Sequence, residues 1–284
     1  MIPEPAAPAA PDAPALTLEH WIYGSVPEVG YTVRGQSAGL NLSFYARRLE
    51  GIYTPLAGES LHGDQVVVNV MMVHPASSGS ELLVSRIGPG PVDEEYRRRT
   101  FVNHTAVVPT AAVKGGQLSL EENDRAIREY DGRQPDASGA LDPLTVRRSD
   151  STGGPTTPGA GIGRYLTPGS AETLLTRTLQ EPDGRTLVLC RDSTADVRRA
   201  TLIRILEALC LSCGLPFVSS LSDNPGGPVA SRFQLVVAPR AFRTDNTWAF
   251  LDNALDAPTL PRIPEAQALY DALARCFQGA AGSP

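Results

Sequence analysis

Three apolar runs rich in β-branched residues, DQVVVNVMMVH (64–74), SELLVSRIG (80–88) and RTFVNHTAVV (99–108), follow one another closely in this chain. A parallel pair of strands needs a crossover of about a dozen residues or more. The PASSGS connection between the first two runs is shorter than that, so the two are expected to lie side by side as antiparallel neighbours. Upstream, HWIYGS and GYTVRGQS read as a hairpin. NLSFYARRLEG offers a short helix capped by Asn41 or Ser43 and stopped at Gly51. The expected fold class is α+β, with mostly antiparallel sheets flanked by helices.

Composition shifts beyond a polar helix at 118–132. RQPDASGALDPLTVRRSDSTGGPTTPGAGIG is rich in Pro, Gly, Ser and Thr and has almost no periodicity, which marks a linker. The expected organisation is a Pro/Ala-rich tail at 1–16, an α+β domain at 17–130, a linker at 131–165 and a second α+β unit at 166–280. In that second unit GSAETLLTRTLQ is a helix beginning near Ser170, and RTLVLCRD is a buried strand. STADVRRATLIRILEALCLSCGLP is the clearest helix of the chain. Ser193 or Thr194 caps it, and Val197, Leu202, Ile205, Leu206, Leu209 and Cys213 recur on one side. PFVSSLS and SRFQLVVAP follow as strands joined by the turn sequence DNPGGPVA, and PEAQALYDALARCF closes the chain as a helix with Leu269, Tyr270, Leu273 and Phe277 together.

Several functions are disfavoured at once. No apolar run reaches the roughly 20 residues that span a bilayer, so no membrane association is expected. The N-terminus lacks the cationic start and apolar core of a secretory signal. The four cysteines, at 190, 210, 213 and 276, have no disulfide-framework spacing, which fits a reduced, cytoplasmic setting. A net charge of −6 argues against nucleic acid as a partner. Lys114 is the one lysine among 25 basic residues, and VKGGQ lacks both the glycine pattern and the hydroxyl of a phosphate-binding loop. No cofactor and no metal are expected.

The candidates for chemistry gather around RRRTFVNHTAVVPT (97–110). Strand alternation puts Phe101, Asn103, Thr105 and Val107 on one face and Val102, His104, Ala106 and Val108 on the other. Sharing a face with apolar residues makes His104 a buried, hydrogen-bonded side chain first and a general base second. His74 would approach His104 if their strands paired, and Arg97, Arg98 and Arg99, with Asn103, form a candidate anion or partner contact. An alternative function follows from this set: a hydrolase or nucleotide-processing enzyme that acts on an anionic substrate through His104, His74 and the arginines. GESLHG (58–63) departs from the nucleophile elbow at His62, so Ser60 is expected in a turn. Cys210 and Cys213 sit near the end of an apolar helix, where the dipole raises a thiol pKa, and are expected as packing residues. GPGP (88–91) and GAGIG (159–163) are expected as turns.

Taken together, HWIYGSVPEVGYTVRGQSAGL, SRIGPGPVDEEYRRRTFVNHTAVVP and LIRILEALCLSCGLP followed by FVSSLSDNP and FQLVVAP resemble the N-terminal and middle regions of bacterial GTPase-associated proteins of conflict and defence systems. The resemblance covers about residues 18–110 and 185–255, with Arg86, Phe101 and His104 in corresponding places. Asn103 and Thr105 flanking the histidine, and a missing Gly-His after the first strand, are departures from that pattern. What it implies is a noncatalytic adaptor with a protein partner, a GTPase among the candidates.

Overall fold

The computed structural model describes residues 15–26, 28–49, 67–73, 79–93, 98–115, 117–130, 139–147, 158–190, 194–215, 218–221, 234–239, 249–252 and 260–278. The sequence-predicted His62, His74, Ser60 and Arg97 lie outside the described residues.

Among the described residues, ten strands form one sheet. The antiparallel part is built from β1 (Ala15–Val26), β2 (Gly30–Gln36), β3 (Val67–Val73), β4 (Glu81–Asp93), β5 (Arg98–Pro109) and β6 (Leu144–Arg147). β7 (Thr186–Cys190), β8 (Val218–Leu221), β9 (Leu235–Pro239) and β10 (Ala249–Asp252) extend it. The order is β10-β7-β9-β8-β3-β4-β5-β1-β2, with β6 on β1. Six of the nine pairings are antiparallel, which makes the fold α+β with a mostly antiparallel sheet. β8 and β9, expected either side of a turn, are parallel neighbours instead. β3 does not pair with β5, because β4 lies between them. The pairing through which His74 would approach His104 is therefore not formed between β3 and β5.

The alternation expected for β5 is what the sheet shows. Val108 and Ala106 join Leu82, Val84, Val68 and Val70 in the main core, whereas Val107 joins Trp21, Leu40, Leu83 and Tyr45 on the opposite face. The helix α1 (Leu42–Leu49) covers that second face. Tyr45 stacks on Trp21 at 5.8 Å and donates its hydroxyl to Glu81 Oε2 at 2.9 Å. The Tyr45 phenol is pushed well above its usual range, by burial first and by Glu81 second.

The main core lies beneath α2 (Thr110–Lys114), α3 (Leu120–Tyr130), α4 (Pro168–Gln180), α5 (Ala195–Leu206) and α6 (Gln267–Gln278). α4 starts where Thr167 accepts the Ser170 amide and Pro168 occupies the first turn, a position that needs no N–H. Thr194 caps α5 in the same way through Val197 N–H. The α5 segment departs from expectation at two points. Val197, expected on the buried side, is 42% exposed, and from Glu207 to Ser212 the helix widens into a π-helical turn. Gly88–Pro91, expected as a turn, is part of β4, where a bulge between Pro89 and Val92 brings Gly90 against β5. A Cβ on Gly90 would lie 2.5 Å from Thr100 Oγ1 and 3.2 Å from the Phe101 backbone, so a side chain there would force β4 and Thr100 apart at the bulge.

Segments on both sides of the expected 131–165 linker share this sheet and this core. β6 (within 131–165) pairs with β1, β8 pairs with β3, and the turn before Ile162–Arg164 packs on the π-helical segment.

Candidate functional site

Polar side chains interrupt the main core along one line beneath α3. β1 carries His20 and Ile22 toward α3, and Ile22 is level with His104 of β5. His104 is in turn level with Arg86 of β4, so His104 and Arg86 are cross-strand neighbours on this face. α3 is amphipathic and lays Leu120, Ile127 and Tyr130 on the sheet, and it adds Asp124 from the same buried side.

His20 Nδ1 lies 2.9 Å from His104 Nε2, and His20 Nε2 lies 2.8 Å from the Asp142 carbonyl oxygen. A carbonyl only accepts, so His20 Nε2 carries the hydrogen and donates to it. In a neutral ring that leaves Nδ1 as the acceptor, and His104 Nε2 must donate to it. His104 Nδ1 is then a bare acceptor, buried and without a hydrogen-bond partner among the described residues. Tyr130 closes the group: its hydroxyl donates to the same Asp142 carbonyl at 3.1 Å, and its ring sits 4.7 Å from His20 and 5.2 Å from His104.

Both imidazoles are buried, His20 at 0% and His104 at 2% exposure. Burial pushes the His104 pKa down to about 3, with the repulsion of His20 adding to it. His20 is lowered as well, by burial, against the raising effect of the Asp142 carbonyl. The pair is neutral at ordinary pH and ties three pieces of chain together: β1, β5 and the segment that leads into β6. Arg86 continues the line outward by donating from Nη1 to Asp124 Oδ1 at 3.1 Å.

Asn103 faces the other way and is fully buried, its Oδ1 accepting from Thr105 Oγ1 at 3.0 Å, while Thr105 Oγ1 meets Ser85 Oγ at 2.7 Å. Arg98 and Arg99 extend β5 at the end of the sheet, level with Asp93 and Val92 of β4. The same end carries Tyr31 stacked on Phe101 at 4.4 Å, with Tyr23 beside both, and the exposed Val29 and Val92 near the two hairpin tips. Cys190, Cys210, Cys213 and Cys276 are buried thiols outside any disulfide. Burial, then the neighbouring Cys276, pushes the Cys213 thiol up to about 12, which keeps it protonated and unreactive.

Sequence reasoning singled out His104 and missed its partner His20, although alternation in HWIYGS already placed His20 and Trp21 on opposite faces. The 84-residue separation of the two rings hides their meeting from any local pattern. Among the described residues no group of three or more His, Cys, Asp and Glu side chains is placed to hold a metal ion, and no helix is long and apolar enough to cross a membrane. No known family model matches the chain, and no curated protein matches it.

Proposed function

We propose that this chain is a cytoplasmic interaction protein of a bacterial GTPase-associated system, binding a protein partner, with a GTPase as the expected one, and doing no catalysis of its own. The observation that carries the reading is the disposition of Arg86 and His104, two residues of the segment that resembles the GTPase-associated family. Both are turned beneath α3, where His104 meets His20 and Arg86 meets Asp124. A buried histidine used to lock strands to a covering helix is a poor means of reaching a substrate, and a good means of holding a sheet surface in a fixed shape. The end of the sheet with Tyr31, Phe101, Val29 and Val92 supports the same reading, since half-buried aromatic residues next to exposed aliphatic ones are the usual anchors of a protein contact.

The test is affinity purification of the tagged chain from its native host under gentle conditions. A GTPase is expected to co-purify, and to be lost from a double variant, Val29→Asp with Val92→Asp, whose positions are 70% and 57% exposed and so leave the fold intact. Recovery of the wild-type chain alone would overturn the proposal.

A further inference from the structure

Asp124 is the meeting point of three guanidiniums from three different elements. Arg86 of β4 places Nη1 3.1 Å from Oδ1, Arg199 of α5 places Nε 3.2 Å from Oδ2, and Arg128 of α3 places Nε 3.5 Å from Oδ2. Arg199 also reaches Asp196 at 3.0 Å, but that carboxylate is 79% exposed and water screens it. The balance is three positive charges against one buried negative charge and one solvated one. A single arginine neutralises the charge of a carboxylate, in the strongest case as a bidentate pair. Three arginines on one carboxylate are therefore more than an ion pair requires.

Solvent exposure shows where the surplus faces. The Asp124 side chain is 2% exposed, those of Arg86 and Arg199 are 15% and 16%, and that of Arg128 is 40%. The carboxylate is the buried end of the group, and the three arginine side chains around it keep partial access to solvent, Arg128 the most. A guanidinium has five N–H donors, and each of these three uses one nitrogen in its contact with Asp124. The arginines also repel one another. Burial, first, holds the Arg86 guanidinium below its usual range; Asp124 opposes that, and Arg128 and Arg199 add to it. An anion on the outer side relieves this repulsion and takes up the remaining donors.

We infer that Arg86, Arg128 and Arg199, gathered by Asp124, form a binding site for a phosphate-type oxyanion. Planar guanidinium edges match the oxygens of a phosphoryl group two at a time, which ammonium groups do not, and a doubly charged anion balances the surplus. Asp124 is a positioning residue here: it repels the anion from the bottom of the site, holds the Arg86 fork by a hydrogen bond and draws Arg128 and Arg199 toward it by charge. The site lies where β4 and α3 of the first half meet α5 of the second, so a bound anion would also hold α5 against α3. The inference rests on charge and geometry at this seam and does not depend on the partner proposed above.

Isothermal titration of the full chain with inorganic pyrophosphate, at ionic strength held constant with chloride, tests it. Saturable binding is expected in the wild type. Arg128→Gln is expected to weaken it about tenfold or more, the equivalent of one charge-assisted contact, and Arg199→Gln to weaken it further. Arg262→Gln, which breaks an exposed ion pair with Glu172 elsewhere, is expected to leave it unchanged. Titration with GDP distinguishes the source of the phosphoryl group: an affinity equal to that of pyrophosphate identifies the phosphates alone as the recognised element, and a tighter one adds the nucleoside. Because Arg128 is the most exposed of the three, its variant carries the test should Arg199→Gln unfold, with the circular dichroism spectrum confirming the fold. No saturable heat in the wild type, equal affinity in Arg128→Gln, or an equal loss in Arg262→Gln would overturn the inference.

Discussion

Neutral imidazoles at positions 20 and 104 make stability depend on pH in a direction that can be worked out. An unfolded histidine takes up a proton near pH 6.5, whereas folded His104 resists it down to about 3 and folded His20 is shifted the same way. Between those values the unfolded chain binds protons that the native one does not. Stability contributed by the pair is complete above about pH 6.5 and is lost as pH falls, with a slope approaching about 1.4 kcal/mol per pH unit from His104 and a further contribution of the same sign from His20. Urea midpoints measured from neutral to mildly acidic pH should fall accordingly, and the dependence should be shallower in His104→Gln. His104→Ala should cost ~2–4 kcal/mol, since it leaves a void and strips His20 Nδ1 of its donor; a melting temperature close to wild type would show that the pair is not structural. A second test concerns Gly159, which has φ +77° and lies so close to the π-helical turn that an added Cβ would be 2.8 Å from Ala208 Cα. Gly159→Ala should cost about 1–3 kcal/mol, from the left-handed backbone and the clash together. The burial of His104 was legible in the period-two pattern of its strand. The close approach at Gly159 was not, because nothing local in GAGIG says what lies above it.

Among the elements, the segment from α5 into its π-helical turn departs most from its sequence pattern. Apolar residues three and four apart correctly marked Leu202, Ile205, Leu206 and Leu209 as buried, while Val197 at the start of α5 is exposed, because the helix enters the core only after its first turn. The change to a wider turn begins at Glu207. Its carboxylate is buried, pairs with Arg204 at 2.7 Å, and accepts at 3.3 Å both from Leu120 N–H, at the start of α3, and from Gly159 N–H. A carboxylate at the N-terminus of α3 complements the dipole of that helix. In sequence Glu207 is one acidic residue in an apolar stretch, and a solvated position is what such a residue ordinarily takes; two of its three donors, Leu120 N–H and Gly159 N–H, arrive from distant parts of the chain. Glu207→Gln should destabilise by about 2 kcal/mol, through loss of the charge-assisted contacts and an Arg204 left without this partner. Equal denaturation midpoints for variant and wild type would remove Glu207 from this role.

At the scale of the molecule, one sheet runs through both halves of the chain, and its middle joint is the pairing of β3 with β8. A chain ending after Tyr130 would lose β6 beside β1, β8 beside β3 and the cover of α5, exposing apolar surface on the main core face. Such a fragment should bind a hydrophobic dye and melt without a cooperative transition in circular dichroism. A sharp transition would show that the first half folds by itself. The sequence alone determined the type of most elements, though not β6 or the strand at Gly88–Pro91, the mostly antiparallel character of the sheet and the face on which His104 lies, because turn chemistry, short connections and alternation act over a few residues. Tertiary structure decided the order of the strands, the meeting of His20 with His104, the gathering of three arginines on Asp124 and the seating of Glu207. Each of these joins residues far apart in sequence, and such contacts follow from which apolar faces pack together, a choice that no local period encodes.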